Sequence, residues 1–228
     1  MKYLYVNGCS FSYGSGLGYD AYNTDATKKK PSGRYSEIIA DHYNLEEINE
    51  SKRGGSNQRI FRKLISWLIE NKEKVKDTLF IIQFTYPNRS ERCDAGKWSQ
   101  LYYNKGRLQD FDIDREPEDW VEYKYTHEEF DKFKYRIMFS IKNILENLGA
   151  KYIFTEADWS YFVLDNYSEL KFFSKKEVTY DIDWENYIRK SMFDLVTEGY
   201  NTKCDHLNKE GMKLWSDFLI KEIEKRYV

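Results

Sequence analysis

Apolar residues follow two rhythms along this chain. Short runs of apolar, β-favouring residues at Lys2–Val6, Leu45–Asn49, Leu79–Thr85 and Lys151–Thr155 read as strands, the second weaker than the others. Helical spacing fills the intervals. Ser32–Tyr43 carries Tyr35, Ile38, Ile39 and Tyr43, and Asn57–Asn71 places Ile60, Leu64, Trp67 and Leu68 on one face. Thr126–Leu148 repeats the pattern with Phe130, Phe133, Ile137, Ile141, Ile144, Leu145 and Leu148, and Gly149 follows as a stop signal. Near the end, Asn208 is placed to cap a last helix whose stripe is Met212, Trp215 and Leu219.

Strands alternating with helices predict an α/β fold with a parallel sheet covered on both faces. Leu79-Phe80-Ile81-Ile82 is apolar at consecutive positions, as a central parallel strand requires. No repeat and no Pro/Gly/Ser-rich linker interrupts the pattern, which predicts a single domain over residues 1–228. Two polar, aromatic-studded insertions are expected at about 86–125 and 159–183. Loops of that length are commonly lids or binding surfaces, and in open α/β sheets ligands lie beyond the carboxyl ends of strands.

Charge narrows the function classes. A formal net charge of −2 offers no overall attraction to nucleic acid or to an anionic membrane, so neither is expected as a partner. Lys28-Lys29-Lys30, the one basic run, reads as solvated loop. No stretch approaches the ~20 apolar residues of a membrane span, and the first residues enter a strand with no leader-like pattern. Together with three cysteines (Cys9, Cys93 and Cys204) that cannot all pair, this predicts a cytoplasmic protein, or one released by lysis. Those cysteines lack metal-type spacing, and neither a metal nor a cofactor is expected. Asp181, Asp183 and Glu185 read as a solvated acidic loop, and Gly14-Ser15-Gly16-Leu17-Gly18 matches neither a phosphate loop nor a dinucleotide fingerprint. The aromatic share is 18%, which fits either stacking surfaces or the codon bias of an AT-rich genome.

Candidate chemistry lies at the two ends. The first strand runs into Asn7-Gly8-Cys9-Ser10-Phe11-Ser12-Tyr13-Gly14, and Cys204-Asp205-His206-Leu207-Asn208 precedes the last helix. A serine hydroxyl becomes an effective nucleophile when an adjacent base takes its proton, and the oxyanion it creates needs donors aimed at it. Ser10 is the candidate nucleophile. Of the three histidines, His42 and His127 sit on helical segments, leaving His206 as the base and Asp205 as a group to orient it. Gly54-Gly55-Ser56-Asn57, after the second strand, offers backbone N–H groups at a helix start for an oxyanion.

This ordered set resembles the SGNH/GDSL hydrolase superfamily. The family's first block, Gly-Asp-Ser-Leu followed by Ser/Thr-Tyr-Gly, aligns with Gly8-Cys9-Ser10-Phe11-Ser12-Tyr13-Gly14, with Cys9 replacing the aspartate. The last block aligns with His206-Leu207-Asn208 and Gly211, although Lys203 stands where the family places its aspartate. The resemblance implies a three-layer α/β/α, flavodoxin-like architecture with Ser10 as nucleophile. It further implies an oxyanion hole from the Ser10 and Gly55 N–H groups. The third block, Gly-x-Asn-Asp in the family, reads Thr85-Tyr86-Pro87-Asn88-Arg89, making Asn88 the nearest oxyanion asparagine. Arg89 then points its guanidinium either at an anionic substrate or at Glu91.

The expected activity is an SGNH-type serine esterase, cytosolic or phage-type. Its substrate would be a small-molecule or glycan ester, such as an O-acetyl group, with Trp159 among the aromatic residues that would stack on sugar rings. Trp98, Tyr102, Tyr103, Trp120 and Tyr161 belong to the same set, and packing of the insertions accounts for them equally well. The competing expectation is a binding or assembly module of the same shape without catalysis. Oligomeric state is not legible in the sequence.

Overall fold

A computed structural model describes residues 1–17, 30–86, 89–104, 107–110, 127–157, 184–202 and 206–228. The main sheet has five parallel strands: β1 (Tyr3–Asn7), β2 (Glu46–Asn49), β3 (Thr78–Phe84), β7 (Lys151–Glu156) and β8 (Tyr187–Ser191). Their spatial order is β2-β1-β3-β7-β8, the flavodoxin-like order, and Asn7 at the end of β1 lies in register with Ile82 of β3.

The two faces follow from alternation along the strands. Leu4, Val6, Leu79, Ile81 and Ile153 point to one side, where α2 (Tyr35–Tyr43), α5 (Met192–Thr197) and α6 (Lys209–Tyr227) bury Ile39, Leu195, Met212, Trp215 and Leu219. Tyr5, Phe80, Ile82, Phe84 and Phe154 point to the other, where α3 (Asn57–Glu70) and α4 (His127–Asn147) bury Ile60, Leu64, Trp67, Ile141 and Leu145. The expected three-layer α/β/α arrangement is therefore what the chain forms.

Two parts differ from the sequence expectation. Within the 86–125 insertion, β4 (Arg89–Asp94), β5 (Lys97–Asn104) and β6 (Arg107–Asp110) form a three-stranded antiparallel sheet rather than an irregular loop. The β4–β5 turn is made by Ala95 and Gly96, at φ 48° and 82°. Positive φ at both central residues is what a twist-matched two-residue hairpin needs. An alanine there hid the signal. The edge strand β8 was not expected either. The 159–183 insertion lies outside the described residues. Among the described residues, no helix is long and apolar enough to cross a membrane.

Candidate active site

Ser10 is the first residue of α1 (Ser10–Tyr13), a single turn closed by Tyr13 N–H donating to the Cys9 carbonyl at 3.0 Å and by Gly14 at φ 87°. Buried polar groups support its underside. The Ser12 hydroxyl donates to Gln83 Oε1 at 2.8 Å, so Tyr35, whose hydroxyl is also 2.8 Å from Ser12 Oγ, is the donor in that second bond. Burial pushes the Tyr35 phenol well above its ordinary range, keeping it a neutral donor. The Cys9 thiol lies 3.6 Å from the same Gln83 oxygen. Gly8 is required for this packing, because a β-carbon there would stand 2.7 Å from Ser12 Oγ and 3.0 Å from Gln83 Cβ.

His206 reaches this turn from the opposite end of the chain. Its Nε2 lies 2.8 Å from Ser10 Oγ, and its ring packs on Phe11 with centroids 4.9 Å apart. The His206 backbone is fixed from several sides. Thr202 donates to the His206 carbonyl from its N–H at 2.8 Å and its hydroxyl at 3.1 Å, and Asn201 bridges Leu207. Asn208 N–H donates to the Tyr200 carbonyl at 3.1 Å, while its side chain caps α6 by accepting from Gly211 N–H at 2.9 Å. Leu207 anchors the loop in the core. With its lone pair on Nε2, a neutral imidazole at this distance can accept the serine proton.

The loop after β2 lies alongside. Glu50 N–H donates to the Val6 carbonyl at 2.8 Å and Lys52 N–H to the Gly8 carbonyl at 3.2 Å, extending the β1–β2 pairing past the strand ends. Gly55 packs so closely that a β-carbon would stand 3.1 Å from the Gly8 oxygen. Its N–H donates to the Lys52 carbonyl at 3.0 Å, closing a turn, so this expected oxyanion donor is engaged within its own loop. Ser56 caps α3 by accepting from Arg59 N–H at 3.2 Å. Asn57 clamps Thr85 at the end of β3, donating to its carbonyl at 3.0 Å and accepting its N–H at 2.9 Å.

Arg89 does not take Glu91. Glu91 is held by Arg62 through two bonds of 2.9 and 2.7 Å, while Arg89 lies over the Tyr86 ring at 4.6 Å and donates to Thr85 Oγ1 at 3.2 Å. Its Nε is buried and has no hydrogen-bond partner among the described residues. On the other flank, the Arg53 guanidinium lies 5.1 Å from the Tyr13 ring centroid. Trp98 stacks on the Arg62 guanidinium at 3.9 Å. Asn88, Asp205 and Trp159 lie outside the described residues. Among those described, no group of three metal-ligating side chains is close enough to hold an ion.

Sequence reasoning missed Phe11, Gln83 and Thr202. Gln83 alone left a signal, as a polar side chain inside an otherwise apolar strand, where burial demands hydrogen-bond partners.

No protein-family model matches this chain, and no curated protein does. Solved structures do. The psychrotrophic esterase EstA from Pseudoalteromonas sp., in a structure inhibited by monoethylphosphonate, aligns at 14% identity with a TM-score of 0.56. That alignment spans 99% of this chain and 98% of that one. A carbohydrate esterase, whose active site displays divergent catalytic and non-catalytic binding functions, aligns at 10% identity and a TM-score of 0.55. There the coverage is 99% of this chain and 69% of the other. At such identities the likeness establishes a shared fold.

Proposed function

We propose that this chain is a divergent SGNH-type esterase that cleaves an ester through Ser10 and His206. The 2.8 Å contact between His206 Nε2 and Ser10 Oγ, joining the two ends of the chain, carries this reading. The fold shared with two esterases supports it. Ser10 Oγ attacks the ester carbonyl carbon as His206 takes the hydroxyl proton. The carbonyl π electrons move to oxygen, giving a tetrahedral oxyanion. Collapse expels the alcohol, which receives the proton from His206, and a water activated by the same imidazole releases the acid from Ser10.

The Ser10 N–H, at the start of α1, is the first oxyanion donor. A second from Gly55 requires its N–H to turn from the Lys52 carbonyl, and Asn88 is a third candidate. Asp205 would orient the imidazole. The Arg89 guanidinium, held over Tyr86 and against Thr85 at the end of β3, would meet an anionic part of the substrate, and Trp159 would stack on a sugar ring. An O-acetylated acidic glycan satisfies both.

Hydrolysis of p-nitrophenyl acetate tests the site. Ser10→Ala and His206→Ala should each lower kcat by on the order of 10³-fold or more. Wild-type-like turnover in either variant would contradict the assignment. Arg89→Ala should raise KM about 10-fold for esters bearing a carboxylate and leave neutral esters near wild type, the loss expected of one charge-assisted hydrogen bond. Equal effects on both substrates would remove Arg89 from recognition. The engaged Gly55 N–H favours one second reading, a binding module of the same fold. A folded wild type that never hydrolyses an activated ester would support it.

A further inference from the structure

The inserted sheet is tied to the loop beside Ser10 by a run of buried and part-buried polar contacts. Arg62 of α3 grips Glu91 of β4 through both carboxylate oxygens, at 2.9 and 2.7 Å. Glu91 is the cross-strand partner of Gln100 on β5, and Gln100 Nε2 donates to Glu91 Oε2 at 3.4 Å. The other end of the same amide, Gln100 Oε1, accepts the backbone N–H of Ser56 at 3.1 Å. Gln100 is 1% exposed and Ser56 fully buried, so the alternative to this bond is a desolvated, unpaired N–H. A second tie, Glu91 N–H to Gln58 Oε1 at 3.1 Å, holds the strand against the same helix.

The Ser56 N–H belongs to the peptide plane that follows Gly55. Whatever holds that N–H sets the backbone rotation of Gly55, which has no side chain of its own to restrain it. Gly55 in turn packs on the Gly8 carbonyl, and Lys52 N–H donates to that same oxygen at 3.2 Å. Gly8 leads directly into the Ser10 turn. We infer that Gln100 is a positioning residue: through Ser56 it locks the Gly54–Ser56 loop against the turn that carries Ser10. The inserted sheet is thereby part of the framework of the site rather than a separate appendage. The kinetic consequence rests on the esterase reading, whereas the mechanical coupling does not.

Gln100→Met keeps the volume and removes the acceptor. Exchange of the Ser56 and Lys52 amides with solvent deuterium should quicken at least ~10-fold. Reaction with a fluorophosphonate should still reach one equivalent per chain, at a rate lowered ~10- to 100-fold, the range expected when a reacting geometry slips without loss of fold. Full stoichiometry separates this from partial unfolding, which would lower the equivalents bound. Glu91→Gln, a milder change at the far side of the relay, should shift both readouts in the same direction by a smaller factor. Unchanged Lys52 exchange in both variants, or an unchanged labelling rate beside faster Ser56 exchange, would overturn the proposal. If wild type takes up no probe at all, the esterase reading falls while the exchange data still decide the coupling: faster exchange at both amides upholds it, and at Ser56 alone refutes it.

Discussion

A β-carbon on Gly16 would stand 2.1 Å from the Leu207 carbonyl oxygen and 3.2 Å from the His206 carbonyl carbon. The bare backbone at Gly16 is what lets the loop after α1 lie directly on the loop that presents the imidazole. Backbone on both sides leaves little room to give. Gly16→Ala should therefore destabilise the protein by at least ~1–3 kcal/mol, as overpacking does, and lower the rate at which Ser10 is labelled. Urea denaturation and labelling kinetics would check the two effects. Lys30 offers a pH-dependent test. Burial lowers its ammonium from 10.5 to about 8, against opposing help from Glu50 and Glu47. Its folded pKa lies below its unfolded one, so between about pH 8 and 10.5 the unfolded chain holds more protons and this group's contribution to stability rises with pH. Lys30→Met should accordingly raise Tm relative to wild type more at pH 7 than at pH 10.5, and a pH-independent difference would refute the burial argument. At this scale, the meeting of Ser10 with His206 was legible because each sits where a strand ends or a helix begins. Gly16 was not, because its meaning lies in a contact with the far end of the chain.

Lys134 of α4 and Glu156 at the end of β7 form an ion pair of 2.7 Å with both side chains 1% exposed, and Tyr187 of β8 donates to the same carboxylate at 2.7 Å. This cluster fastens a helix, a central strand and the edge strand together at the carboxyl end of the sheet. Removing one charge leaves the other buried without its ion-pair partner, so Lys134→Met should cost about 3–5 kcal/mol. The double variant Lys134→Met/Glu156→Leu should recover part of that loss. A thermodynamic cycle from chemical denaturation measures both, and a double variant as unstable as the sum of the single ones would contradict a coupled pair. The long helices were readable because their apolar stripes persist over several turns. β8 was not: Tyr-Ile-Arg-Lys-Ser is short and half polar, and becomes a strand by pairing with β7 and burying Tyr187 and Ile188 on opposite faces. Gln100 illustrates the same gap, since a polar residue in an insertion gives no sign that its amide will cap a backbone N–H on the main fold.

The five-strand order places the chain reversal between β1 and β3, the switch point at which α/β sheets open a crevice. Ser10 follows β1 there, the Gly54–Ser56 loop follows β2, Thr85 follows β3, and the His206 loop arrives from the helix layer above. Alternating strands and helices made that architecture readable in advance, because parallel strands joined by helices leave few arrangements open. What pattern alone does not convey is precision, the 2.8 Å rather than ~6 Å between hydroxyl and imidazole. The packing at Gly8 and Gly16 and the hydrogen bonds of Thr202 and Asn208 hold in place the two turns that present these side chains. The most direct measurement of the central claim is peptide mapping by mass spectrometry after exposure to a fluorophosphonate. The account predicts a single adduct on Ser10, formed at least ~10²-fold more slowly in folded His206→Ala. A folded wild-type protein left unmodified at Ser10, or a His206→Ala variant that reacts at the wild-type rate, would contradict it.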